Sequence, residues 1–186
     1  MRFDLEKSLT AAEVINTYSQ NELARIFREY GEERYSERIS AAIVRKRAER
    51  PFSTTKDLAD AVLSALPAKA KNEDQHPARR VFQACRIEVN GELDSLAKLL
   101  KDTPTILKSG GVACFISFHS LEDRLMKDAM KEWENPCQCP RSFPHCNCGK
   151  KPVGKILTRK AITPSPEELQ RNSRSRSAKL RAFQKY

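Results

Sequence analysis

Apolar residues recur at helical intervals through the first 70 positions, broken by polar caps rather than by strict alternation. Thr10-Ala-Ala-Glu13 and Ser19-Gln-Asn-Glu22 each set a hydroxyl three residues before a glutamate. In that pattern the hydroxyl accepts an otherwise unpaired amide and the carboxylate reaches back to the cap, so two short helices are predicted. Ile39, Ile43 and Val44 form the next stripe, with Arg34, Glu37 and Arg38 on other faces and Pro51 as the stop. Thr54-Thr-Lys-Asp57 caps a run carrying Leu58, Val62 and Leu66, which closes at Pro67 before a polar linker to Gln75. The pattern predicts a helical module over residues 1–75, extending at most to about residue 90.

Residues 76–186 change rhythm. Pro77 suits a first helical turn, and Val81, Phe82, Cys85, Ile87, Val89, Leu93, Leu96, Leu99 and Leu100 predict one long helix to about Lys101. After Ser109-Gly110-Gly111, the run Val112-Ala-Cys-Phe-Ile-Ser117 reads as a strand buried on both faces, as in a parallel sheet covered by helices. A helix from Leu121 to Trp133 and a second short strand at Gly154-Lys-Ile-Leu-Thr-Arg are expected next. This is the rhythm of an α/β fold, mostly helical as it stands. One parallel strand with at most one partner is too little for a stable sheet, so the segment reads as the distal part of a larger one.

Composition narrows the functional classes. The 186 residues carry 39% apolar and 31% charged side chains and no apolar run long enough to cross a bilayer, and the start lacks a secretory pattern. A cytoplasmic protein with no membrane partner is expected. The net charge is +10, and residues 149–186 form a basic tail with eleven basic residues against Glu167 and Glu168. Concentrated positive charge favours a polyanion through counterion release, so nucleic acid is the first partner to consider; a solvated solubilising tail is the bland alternative.

Three groups of residues carry candidate chemistry. Ser117, His119, Ser120, Glu122, Asp123 and Arg124 follow the strand directly, and in open α/β sheets ligands bind beyond strand carboxyl ends. They line a pocket, or they cap the next helix and form surface pairs. His76, Arg80, Gln83 and Arg86 share helical spacing and either meet RNA or brace the fold; Arg174, Arg176, Lys179 and Arg181 either grip phosphates or fold back onto the domain's own carboxylates. Cys137, Cys139, Cys146 and Cys148 put four of the six cysteines in a twelve-residue loop, 137–148, as two C-x-C pairs. A structural zinc, a redox pair and simple packing all remain open for them, with His145 as a substitute ligand.

Four stretches, Tyr30-Gly-Glu-Glu-Arg34, His76-Pro-Ala-Arg-Arg-Val-Phe-Gln-Ala-Cys-Arg-Ile87, Ile116-Ser-Phe-His-Ser-Leu-Glu-Asp-Arg124 and Asn172-Ser-Arg-Ser-Arg-Ser-Ala-Lys-Leu-Arg181, together resemble the MraW/RsmH family of ribosomal RNA methyltransferases. The sequence departs from the family pattern at Ser173, usually proline, and Cys85, usually leucine. The resemblance implies S-adenosyl-L-methionine-dependent methylation of the exocyclic N4 of a cytidine in small-subunit (16S) ribosomal RNA, near the decoding site. The implied partner is that RNA or the small ribosomal subunit. The implied architecture is a Rossmann-like methyltransferase domain, here its distal half at residues 76–186, with the helical module as its substrate-recognition insertion. The family's donor-binding glycine loop and acidic residue have no counterpart in this chain, so cofactor-binding residues are expected upstream of Met1, itself resembling an internal methionine. A non-enzymatic RNA-binding remnant with a zinc loop is the alternative.

Overall fold

The hydroxyl–carboxylate caps close as their spacing requires in the computed structural model, which describes residues 1–4, 6, 8–71, 76–140 and 147–186. The chain divides into two units, Met1–Glu92 and Leu93–Tyr186. The first holds α1 (Ala11–Thr17), α2 (Gln20–Glu29), α3 (Ser36–Glu49), α4 (Thr55–Ala65), α5 (Ala68–Lys71) and α6 (Arg79–Asn90). Thr10, Ser19 and Thr54 each accept the amide three residues on, and Glu13, Glu22 and Asp57 return the bond to the cap amide. Two unpaired donors are satisfied at each helix start, a gain of about 1 kcal/mol per cap. Leu23, Ile26, Phe27, Ile39, Ile43, Val62, Val81 and Cys85 interlock in the core.

A close approach between α2 and α6 explains the Tyr30-Gly-Glu-Glu-Arg stretch. A Cβ on Gly31 would lie 2.6 Å from the Phe27 carbonyl oxygen and 2.7 Å from that of Arg80. Gln83 Nε2 donates to the Tyr30 carbonyl at 2.9 Å, and the buried Glu33 carboxylate accepts the Tyr35 amide at 2.8 Å while Arg80 Nη1 stands 3.6 Å away. The single helix expected from Pro77 to Lys101 is in fact two. Gly91 adopts a left-handed conformation, φ +63°, and ends α6; α7 (Glu92–Ile106) then runs past Lys101 with Pro104 inside it. Residues 79–90 and 92–106 each hold helical periodicity, and apolar spacing alone does not register a one-residue break between them.

In the second unit β1 (Val112–Ser117), α8 (Ser120–Glu134) and β2 (Gly154–Ile156) match the expected elements, and α9 (Pro166–Arg171), a 3₁₀ turn (Ser173–Ser177) and β3 (Lys179–Lys185) follow. The strand order is β1-β3-β2, antiparallel throughout, with Val112 opposite Gln184, Ser117 opposite Lys179 and Ile156 opposite Phe183. Two expectations are corrected here. The basic tail supplies the central strand, and β1 is covered on one face only: Ala113, Phe115 and Ser117 point inward while Val112, Cys114 and Ile116 are exposed. Beneath the covered face Met126, Met130 and Trp133 of α8 pack with Leu100 and Phe183, the Trp133 and Phe183 rings meeting edge to face at 5.0 Å. Lys185 Nζ donates to the Pro104 and Leu107 carbonyls at 2.7 and 2.8 Å, closing the end of α7. The described structure is mixed α/β, mostly helical, with one small three-stranded sheet.

Gly31→Ala is expected to destabilise the helical unit by about 2 kcal/mol, because the two carbonyls it would strike are backbone and cannot rotate away. Urea unfolding followed by far-ultraviolet circular dichroism reads the loss; an unchanged midpoint would show that α2 and α6 separate without cost.

Candidate functional site

Ser117 ends β1 and Ser120 begins α8, so two residues, Phe118 and His119, make the whole turn between strand and helix. His119 is the N-cap. Its Nδ1 accepts the Glu122 amide at 3.4 Å, and Glu122 Oε2 accepts the Phe118 amide at 2.8 Å and the His119 amide at 3.3 Å. An accepting Nδ1 places the imidazole proton on Nε2, which lies 3.2 Å from Glu122 Oε1 without an aligned hydrogen bond. Burial pushes the Glu122 carboxyl up, but the His119 ring and the two amides outweigh it and leave the group below its ordinary value. Ser117 Oγ is buried and has no hydrogen-bond partner among the described residues.

Asp123 faces inward. Arg181 Nε and Nη2 donate to its two oxygens at 2.6 and 3.1 Å, and Lys179 Nζ stands at 3.6 Å. The Arg181 hydrogen bonds hold the Asp123 carboxyl below its ordinary value against the opposing effect of burial. Of the two sequence expectations for Arg181, a phosphate contact or an arginine folded back onto the domain's own carboxylates, the structure has the second, with Arg181 paired in the interior where the antiparallel register puts it opposite Phe115. Ser120 and Arg124 lie on the exposed side of the same helical turn.

Arg174, Arg176 and Lys179 sit at the same end of the sheet. Lys179 registers opposite Ser117, and the 3₁₀ turn that leads into it carries Arg174 and Arg176, both exposed. Two motifs some fifty residues apart in sequence therefore converge on the carboxyl end of β1. Phe118, also exposed there, carries no functional signal in the sequence because it extends an apolar run; strand alternation continued one residue past Ser117 turns it outward. The His76 to Arg86 group is in the other unit. His76 Nδ1 accepts the Ala78 amide, Arg80 meets Glu33, Gln83 meets Tyr30, and Arg86 makes a two-point pair with Glu92 at 2.8 Å each. These contacts brace α6.

The Gly110-Gly111 turn lies at the amino end of β1, opposite the site. Gly110 donates its amide to the Lys185 carbonyl at 3.0 Å and Gly111 donates to that of Lys108 at 2.9 Å. These two amides are committed to the turn and to the sheet, so this Gly-Gly turn does not form an open phosphate-type cradle. In the loop after α8 the sulfurs of Cys137, Cys139 and Cys148 lie within 4.8 Å of one another; Cys146 and His145 are outside the described residues. No helix among the described residues is long and apolar enough to cross a membrane.

The profile of the MraW methylase family matches residues 1–186. The ribosomal RNA small subunit methyltransferase H of Carboxydothermus hydrogenoformans is 54% identical over 185 residues, covering 100% of this chain and 59% of that protein. The protein of the same name from Caldicellulosiruptor saccharolyticus is 51% identical, and ribosomal RNA small subunit methyltransferase H 2 of Agathobacter rectalis 49% identical, each over 185 residues. The chain spans about 60% of the length of the curated relatives it matches.

Replacing Asp123 by Ala is expected to cost the sheet unit about 3 kcal/mol, since it leaves the buried Arg181 cation without its two-point partner. The Asp123→Leu, Arg181→Met double variant should recover most of that loss. Because the folded Asp123 and Glu122 values lie below the unfolded ones, their stabilisation is complete above about pH 5 and fades as pH falls through the lower folded values. Fluorescence of the single tryptophan, Trp133, reports urea unfolding of this unit at each pH. A wild-type midpoint that holds steady below pH 4 would contradict the pairing.

Proposed function

The chain belongs to the MraW methylase family, and from that premise we propose that it forms the acceptor-handling part of an enzyme methylating the exocyclic N4 of a cytidine in small-subunit (16S) ribosomal RNA, near the decoding site. The methyl comes from S-adenosyl-L-methionine in such an enzyme. The observation that carries the reading is the convergence of the Phe118–Glu122 turn with Arg174, Arg176 and Lys179 at one end of the sheet.

The chemistry asks for such a combination. The cytosine amino nitrogen is a weak nucleophile, its lone pair delocalised into the ring, and a stacked base is out of reach. The base must be drawn out, stacked and held with its amino group oriented. The exposed Phe118 ring offers a stacking face, Arg174 and Arg176 offer paired hydrogen bonds to phosphates, and the unsatisfied Ser117 hydroxyl is a polar group that a bound ligand or an ordered water relieves. His119 and Glu122 hold one another and fix the turn that presents Phe118.

Within this reading the sheet unit is the distal part of a Rossmann-like domain. The open edge and apolar outer face of β1, with Val112 and Ile116 exposed, are where further strands and a covering layer belong. The helical unit is the substrate-recognition insertion. The small ribosomal subunit or its RNA is the partner.

Binding of a 16S decoding-region fragment to the purified chain should fall with salt, and Arg174→Ala with Arg176→Ala should lower the log–log salt slope by about 2. A chimera carrying the leading segment of the Carboxydothermus relative ahead of this chain should transfer labelled methyl to small subunits, and Phe118→Ala should lower its rate. RNA binding that ignores salt would sink the reading. Binding without any methyl transfer by the chimera would favour a non-enzymatic RNA-binding role.

A further inference from the structure

The loop from Asn135 to Val153 joins α8 to β2 without a helix or strand of its own among the described residues. Connections longer than about 12–15 residues inside a packed unit usually carry a ligand, a function or disorder. This one must deliver β2 to a fixed place: the Val153 amide donates to the Trp133 carbonyl at 2.8 Å, the Ile156 amide donates to Glu134 Oε1 at 2.8 Å, and the Tyr186 amide donates to the Val153 carbonyl at 3.0 Å. Both ends are thus anchored to the end of α8. Between them, three thiols separated by as much as eleven positions in sequence bring their sulfurs within 4.8 Å of one another.

We infer that Cys137, Cys139 and Cys148 hold one zinc ion that pins this loop. Thiolates about 2.3 Å from a tetrahedral zinc stand about 3.8 Å apart, so the observed cluster needs to contract by no more than about 1 Å. Three thiol sulfurs gathered in one place are soft donors of the kind zinc takes in structural sites. Lys150 and Lys151 follow directly and offset the negative charge a thiolate site accumulates. On binding, each coordinating thiol releases its proton to solvent and no electron is transferred. The site lies in the loop beyond the carboxyl end of α8, and the candidate acceptor site lies at that helix's amino end, so the ion holds the fold and takes no part in methyl transfer.

Titration of the reduced full chain with Co²⁺ tests the inference. One cobalt per chain is expected, with visible bands of a tetrahedral ion, a sulfur-to-metal charge-transfer band of at least three thiolates, and stoichiometric displacement by Zn²⁺. Cys137→Ser and Cys148→Ser should each weaken the metal by more than about 100-fold, since even outer-shell partners cost 10–100-fold. Cys114→Ser, outside the cluster, should leave it unchanged. Cys146→Ser and His145→Ala identify the fourth donor by which of them alters the charge-transfer band. The unsubstituted spectrum decides the matter even if a variant fails to fold. A featureless spectrum, a band of two thiolates or fewer, or a chain that takes up metal only after reduction of a native disulfide among these cysteines overturns the proposal.

Discussion

Everything in the sheet unit hangs on a strand that arrives last. With the order β1-β3-β2, neither β1 nor β2 has a partner among the described strands except β3, so the sheet exists only once residues 179–185 are in place. The Asp123–Arg181 pair is what fixes that strand. It joins the first turn of α8 to the middle of β3 by two parallel hydrogen bonds, in a setting where both charges have given up most of their water. Desolvation offsets much of the attraction, so the contribution is less to net stability than to register. A slip of one residue would turn Leu180 or Ala182 toward Asp123 and strand an arginine on the outer face.

The same pair explains what could and could not be read from the sequence. The capping boxes, the stop at Pro51, β1 and α8 were legible because each is announced by neighbours within four residues. The central strand was not. In Lys179-Leu-Arg-Ala-Phe-Gln-Lys185 the inward positions include Arg181 as well as Phe183, so apolar alternation is broken where burial is deepest. An arginine reads as surface until its carboxylate is known, and Asp123 stands 58 positions away. Val112-Ala-Cys-Phe-Ile-Ser117 fails in the opposite sense, for a wholly apolar run carries no sign of which face is covered. Here Val112 and Ile116 are exposed.

The candidate site shows the same limit at finer grain. Residues 117–124 were identifiable as a cluster, but not the division of labour within it: His119 and Glu122 close the cap, Asp123 serves the sheet, and Phe118 faces out. Likewise Arg80, Gln83 and Arg86 carried two readings, contact with RNA or bracing of the fold, and it is Glu33, the Tyr30 carbonyl and Glu92 that engage them within the helical unit. Polar residue type states what a side chain can bond. Only the fold states what it does bond.

That distinction sorts the basic tail. Lys185 closes α7 and Arg181 is interior, so part of the positive charge that points to a polyanion in the sequence is consumed in building the sheet. The fold does not thereby discard the polyanion. By using Arg181 as the anchor, it carries the preceding turn, with Arg174 and Arg176, to the strand end where Phe118 is exposed. A tail free in solution would spread that charge over many conformations and lose entropy on every encounter with RNA. The buried arginine fixes its exposed neighbours beforehand, so under the proposed function the charge bound within the fold is what would make the remaining charge specific.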